Sequence, residues 1–316
     1  MSKKKNLGLE IKKLFDEQIN EWNLAKSNYD ALKKVLTKEF EFGNFSFRVQ
    51  FNPARIQSSA AKVDSKSIEE RKCFLCSANL PAVQRGIPFG KDYLILVNPF
   101  PIFPMHLTIP STSHVDQLIF DRYEDMLDLA ESMDEFVIFY NGPKCGASAP
   151  DHVHFQAGNK GFLPLEEDTR NGSRRMILEN DSLSVYSLDD YLRNVFVIEA
   201  SDKKAAVDYF NELYSQLETK EGEREPMLNI VSWHEEGKWI SCVFPREVHR
   251  PECFFAEGES NILISPASVD MGGVFITPQE NDFVKITAQD IAKILKEVCI
   301  SNEKMIQTSE KVKGKG

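Results

Sequence analysis

Asn141 to Gly158 reads NGPKCGASAPDHVHFQAG and carries two of the chain's six histidines, His152 and His154, with Gln156 two residues further on. On a β-strand these three side chains share one face, because the side-chain period is two. Val153 and Phe155 then take the opposite face and pack inward. The preceding run, Gly142 to Pro150, holds Gly, Pro, Ser and Lys and reads as a loop able to wrap phosphate. A phosphate loop feeding a face of imidazole, imidazole and amide points to phosphoryl or nucleotidyl chemistry. A pair of structural histidines is the alternative. In the chemical reading His154 is the nucleophile: a neutral imidazole nitrogen attacks an α-phosphorus and forms a phosphoramidate, splitting one transfer into two displacements. Its other nitrogen must donate to an acceptor that fixes the tautomer. Gln156 can donate to a nonbridging oxygen. Backbone N–H groups of Gly146, Ala147 and Ser148, with the Ser148 hydroxyl, can cradle phosphates, and Lys144 can neutralise their charge.

A second set of residues suggests a metal. Cys73 and Cys76 form a lone CxxC with no helix clearly starting behind it, which disfavours a redox site. Two local cysteines need two distant ligands to close a tetrahedral site, and His114 and His152 are the candidates. His114 is expected at a helix start, where a capping role competes with ligation. Such a site would tie the CxxC loop to the active strand and act architecturally. Zinc suits the ligands, and iron is the alternative. Cys145, Cys242, Cys253 and Cys299 read as small buried hydrophobes.

These groups must be positioned by a globular fold. The chain has 316 residues, formal charge −10 and ordinary apolar content, so a large core is available. The acidic balance argues against binding a nucleic-acid polymer but not against a nucleotide held by local cations. No membrane-length apolar run and no apolar signal core behind MSKKK are seen, so the expectation is a cytoplasmic protein. Helical spacing covers residues 7 to 36 with a break near Ser27, and Val115 to Met133. Strands are expected at Glu41–Phe51, Tyr93–Asn98, Leu107–Pro110 and Glu135–Tyr140, with a loop from Asn52 to Lys72. The second half predicts strand, turn and strand over Met176–Tyr186, a strand at Val195–Glu199 and a helix at Ala205–Leu217. A hairpin around Glu236 and Gly237, a strand at Gly272–Thr277 and a helix at Thr287–Val298 follow. The last dozen residues are expected to be mobile. The shared strand, helix, hairpin order hints at two related lobes, 1–173 and 174–316.

With these residues in view, the chain resembles the histidine-triad superfamily, in its galactose-1-phosphate uridylyltransferase and dinucleoside-polyphosphate or GDP-sugar phosphorylase branch. HVHFQ is similar to that branch's His-x-His-x-Gln motif, and GASAP to the phosphate-contacting stretch before it. The resemblance implies that His154 is nucleotidylated, that Gln156 stabilises the intermediate, and that the zinc set falls on Cys73, Cys76, His114 and His152. NPFPIFPMHLTIPS, Asn98 to Ser111, resembles the segment holding the nucleoside and its ribose, which makes Asn98 a substrate-binding candidate. FNPAR, Phe51 to Arg55, is similar to an N-terminal Asn-Pro segment. Asp151 stands where a proline is usual, and Met105 where a glycine is usual before His106.

The resulting expectation is an α+β chain of two histidine-triad-like lobes with mainly antiparallel sheets and flanking helices. It would be a nucleotidyltransferase or phosphorylase acting on a nucleoside diphosphate-sugar or dinucleoside polyphosphate. Phosphate or a sugar phosphate would be the acceptor, held by Arg246 and Arg250, whose forks suit phosphate oxygens. His249 between them could share that role, and His106 is read as structural. A pyrophosphohydrolase, or an inactive zinc-containing nucleotide-binding protein, is the alternative. Gln156 counts against hydrolysis, since the hydrolytic branches carry a third histidine there. Partners are small molecules, with no nucleic-acid polymer and no membrane, and a homodimer is allowed.

Overall fold

The computed structural model of the chain describes residues 3–56, 67–68 and 70–313. An N-terminal helix pair, α1 (Lys3–Glu21) and α2 (Asn23–Leu32), covers part of the core. The break falls at Trp22 and not near Ser27. Trp22 has extended backbone (φ −107°, ψ 98°) and its indole is buried, so the interruption serves packing. The strand expected over Glu41–Phe51 is a hairpin, β1 (Leu36–Phe42) and β2 (Phe45–Phe51), with Phe42 opposite Phe45. Gly43, at φ +63°, and Asn44 make its two-residue turn. Of the loop expected from Asn52 to Lys72, Pro53–Arg55 is a short 3-10 turn, while residues 57–66 and 69 lie outside the described residues.

The main sheet is assembled twice over from one plan. In the first half β3 (Gly86–Phe89), β4 (Tyr93–Val97) and β5 (His106–Pro110) precede a helix, α3 (Tyr123–Ser132). Then come β6 (Phe136–Asn141) and β7 (His154–Asn159), and the sheet order is β3-β4-β5-β7-β6. After α4 (Pro164–Asn171), the second half supplies β8 (Arg174–Glu179), β9 (Leu183–Leu188) and β10 (Phe196–Ala200). Helix α5 (Lys203–Gln216) follows, then β11 (Leu228–Glu235) and β12 (Lys238–Pro245), in the order β8-β9-β10-β12-β11. Each half thus has the same strand order, with its helix between the third and fourth strands. The halves join where β6 pairs antiparallel with β11, making one ten-stranded sheet. The fold is therefore α+β and two-lobed, and the order shared by the two halves is literal.

Two cores lie on the two faces of this sheet. One holds Leu107, Ile109, Phe155, Ala157 and Ile230 beneath α1, α2, α3 and α5. The other holds Val137, Phe139, Val231 and Trp233, with residues of β2 and of β13 (Val274–Thr277). β13 pairs parallel to β2, so the small β1-β2-β13 sheet draws on both ends of the chain. The helix expected from Val115 begins only at Tyr123; residues 115–119 run as an irregular strap with Gln117 and Ile119 buried. The tail expected to be mobile is mostly helical, Asn302–Lys313, with Met305 and Val312 buried; residues 314–316 lie outside the described residues. Among the described residues no helix is long and apolar enough to cross a membrane.

Candidate active site

Strand register builds the floor of the site. Thr108 of β5 lies opposite Gln156 of β7, and Gln156 opposite Phe139 of β6. Directly opposed residues share a face, so Leu96, Thr108, Gln156 and Phe139 form a row across the sheet. All four line a cavity of about 600 Å³ that also takes in Asn98, Gly146, Ala147, Ser148 and His154. Phe155 and Ala157 point to the other core. Position 158 must be glycine, because an added Cβ would lie 2.2 Å from the Phe103 ring.

The β6–β7 ladder stops at Phe139 opposite Gln156, and the strands splay there to admit the loop. Gln117, from the strap, fills the gap. Its Oε1 accepts from the His154 N–H at 2.7 Å, and its Nε2 donates to the carbonyls of His154 and Asn141 at 3.0 and 2.9 Å. The backbone of His154 is thereby clamped on the side where β6 no longer pairs with it. Nothing in the sequence marked Gln117, because its role depends on a strap read as helix.

The His154 ring donates from Nδ1 to the His152 carbonyl at 2.8 Å. That bond fixes the tautomer and leaves the Nε2 lone pair unengaged, with no partner among the described residues. Burial pushes the His154 pKa down to about 4, against the opposing pull of that carbonyl, so the ring is neutral near pH 7. Gln156 is aimed by His106. The Ile102 N–H donates to His106 Nδ1 at 3.1 Å, so the proton is on Nε2, which donates to Gln156 Oε1 at 2.9 Å. The amide oxygen is thus held back and the NH₂ is left to donate. Burial, with Arg55 nearby, takes His106 down to about 3, so this tautomer persists. His106 is structural, as read, but its structure serves Gln156.

The loop is braced by the second lobe. Asn229 Nδ2 donates to the Cys145 carbonyl at 2.8 Å, and Gly146 packs on Ala267 at φ +95°, where a Cβ would sit 2.5 Å from that methyl group. Arg246 completes the brace and corrects an expectation. It is 3% exposed, and its guanidinium donates to Asn229 and to the carbonyls of Val298, Pro266, Val248 and His249. All five of its N–H donors are accounted for, so it holds the loop's support and is not a cation facing the cavity. Arg250 is on the cavity wall, beside His249 and Ser265. Burial and the neighbouring cations Arg250, Arg246 and Lys144 push His249 down to about 3. Lys144 itself is not on the wall; it is half exposed and lies 3.8 Å from Glu223. Asn98 is on the wall, donating to Thr108 Oγ1 and accepting from the Phe100 N–H. The cavity also takes in Arg55 and Asp270, which sequence reasoning did not single out, although FNPAR contained the former.

Cys73, Cys76, His114 and His152 converge, with one ligand atom from each within 4.8 Å of all the others. Cys76 Sγ is 3.2 Å from His114 Nδ1, Cys73 Sγ is 3.3 Å from His152 Nδ1, and the two Nδ1 atoms are 3.3 Å apart. Such edges fit a tetrahedron of bonds of about 2.0–2.3 Å. His152 Nε2 donates to the Ser111 carbonyl at 2.8 Å, leaving Nδ1 as the ligand atom. The group could hold a metal ion. His114 reaches it from the irregular segment leading into the strap, not from a helix start. Asp151 stands 3.8 Å from His114 Nε2 and pairs with Arg71 at 2.7 Å, so its anion has partners on both sides.

Comparison with known proteins adds the following. Residues 14–159 match a family model described as a domain of unknown function, DUF4922, and residues 167–315 match one described as the GDPGP1-like C-terminal domain. Among curated proteins none matches the sequence. Among solved structures, the yeast Ap4A phosphorylase Apa2 superposes with a TM-score of 0.57 at 18% identity, covering 88% of this chain and 94% of that one. The same yeast enzyme in complex with Ap4A gives a TM-score of 0.54 at 17% identity, covering 89% and 97%. At such identity these likenesses concern the fold.

Proposed function

We propose that this chain, which carries a GDPGP1-like C-terminal domain on the fold of Ap4A phosphorylase and so falls within the uridylyltransferase and phosphorylase branch of the histidine-triad-like superfamily, is a nucleotidyl phosphorylase or transferase working through His154. The observation that carries the reading is the state of the His154 ring: neutral, tautomer fixed, its Nε2 lone pair unengaged beside a phosphate-type loop. In the first step Nε2 attacks the α-phosphorus of a nucleoside diphosphate-sugar or dinucleoside polyphosphate. The N–P bond forms as the P–O bond to the leaving phosphate breaks, and the electron pair departs with that phosphate. Charge that develops on the ring is met by the His152 carbonyl, while the Gln156 NH₂ and the backbone of Gly146, Ala147 and Ser148 receive the α-phosphate oxygens. In the second step an oxygen of phosphate or a sugar phosphate attacks the same phosphorus and the ring leaves unchanged. Arg250 is proposed on the acceptor side and Asn98 near the nucleoside.

Cys73, Cys76, His114 and His152 are proposed as a zinc site, with iron possible in the same ligands. The ion would cross-link the CxxC loop to the strand bearing His154 and take no part in the transfer. A soluble, cytoplasmic enzyme fits this chemistry. Intact-mass measurement tests the reading. Mixed with nucleotide donors and no acceptor, the protein gains one nucleotidyl mass, and His154→Ala abolishes the gain and the turnover while keeping the fold. An adduct persisting in that variant would reject the assignment. Adduct discharged by water as fast as by any acceptor would favour the hydrolase instead.

A further inference from the structure

We propose that Arg71 is a second phosphate-binding residue of this cavity and that Asp151 is its positioning residue. The inference rests on the nucleotidyl-transfer reading and adds to it the seat of the phosphate that leaves and the phosphate that accepts. Arg71 lines the cavity with its side chain 25% exposed, two residues before Cys73. Its Nη2 donates to Asp151 Oδ1 at 2.7 Å and lies 3.4 Å from the carbonyl oxygen of Ser148, inside the phosphate loop. The guanidinium stands over the Phe74 ring, 4.9 Å from its centroid. Its Nη1 is buried and has no hydrogen-bond partner among the described residues.

A buried donor left unmatched is uncommon, and this one belongs to a residue of the cavity wall. The guanidinium offers five donors in a fixed fork whose spacing suits phosphate oxygens, and among the described residues fewer than half are engaged. The phosphate next to the α-phosphate is bonded to it, so it falls within reach of the residues flanking Ser148. In the first step the electron pair of the breaking P–O bond departs on that phosphate, and a fixed cation there stabilises it. In the second step the attacking oxygen of inorganic phosphate returns to the same seat. Asp151 then has a reason to stand beside incoming phosphate: paired with Arg71 it is neutralised, and it fixes the plane of the fork.

Calorimetry in the His154→Ala background, where no transfer intervenes, tests the seat with GDP against GMP and ADP against AMP. Arg71→Gln should weaken the diphosphates by about tenfold to a hundredfold, the size of a lost charge-assisted contact, with little change for the monophosphates. Arg71→Lys should recover part of the loss, and Asp151→Asn should show a smaller loss in the same direction. With His154 intact, discharge of the isolated adduct by inorganic phosphate should slow by the same factor in Arg71→Gln, and discharge by water should not. Equal effects on mono- and diphosphates, or none, would overturn the proposal. Arg71→Lys and Asp151→Asn decide the matter if the glutamine variant does not fold. A wild-type protein that forms no adduct, yet loses its diphosphate preference in Arg71→Gln, would leave Arg71 standing and reject the transferase reading.

Discussion

At the residue scale, one proton decides the posture of the site. His106 carries it on Nε2 because the Ile102 N–H occupies Nδ1, and that choice holds the Gln156 amide oxygen and leaves its NH₂ free on the cavity wall. His106→Ala should therefore lower kcat roughly tenfold or more with a much smaller change in KM, since the amide becomes free to rotate away from the α-phosphate. Metal content should not change, and a variant in which kcat is preserved would show that Gln156 is aimed by something else. Of HVHFQ, His154 and Gln156 were legible because strand periodicity puts them on one face, whereas His152, expected on that face too, lies in the turn before β7 and joins the Cys73 cluster instead. Gln117 and Arg71 were not. Each acts through a partner far off in sequence, His154 and Asp151, and a single chain read linearly offers no sign of such a pairing. Arg246 misled for a related reason: its charge was visible, but the carbonyls that surround it were not.

At the scale of elements, the CxxC segment, the residue leading into the strap and the turn before β7 each contribute to one cluster, and none of the three is held there by a long ladder. Removing the thiolates with Cys73→Ser and Cys76→Ser together should abolish bound metal in elemental analysis. It should also lower the unfolding midpoint by roughly 5–10 °C, because an ion that binds only the folded chain stabilises it. Metal content unchanged in the double variant would rule out the site. Strands were mostly legible where a short apolar run stood alone, as at β4, β6 and β10. The misread elements share a cause. Val115 to Ile119 has apolar residues at helical spacing but is pulled straight by Gln117 and by Val153, whose N–H donates to the Val115 carbonyl. The β1–β2 turn was hidden inside an alternating aromatic run. The C-terminal helix has a thin apolar stripe, and its packing partners lie on α5 and β8.

At the scale of the molecule, the two lobes are proposed to part at 173/174, yet they share one sheet, one cavity and one buried acid. Glu225, just before β11, is 4% exposed and receives the Tyr140 hydroxyl at 2.5 Å and the Ile119 N–H at 2.9 Å. Burial lifts its pKa to about 7, above a carboxyl's usual value of about 4.3. Between those values the folded chain holds a proton that the unfolded chain has released, so stability falls as pH rises through that window and levels off above it. Glu225→Gln stays neutral, and its stability relative to the wild type should grow by up to about 3 kcal/mol from pH 4 to pH 8, read from urea unfolding. A constant difference across that range would mean that the acid titrates normally. The seam itself bears on how the chain is made. Asn141 of β6 pairs with Asn229 of β11, 88 residues later (229 − 141), and Arg48 of β2 pairs with Val274, 226 residues later (274 − 48). A ribosome delivering this chain releases His154 and its loop while Asn229, Arg250 and Ala267 are still untranslated. The nascent half holds His154 in a groove with a missing wall and an unpaired strand edge, so the cavity closes only after Val274 has been delivered to β2.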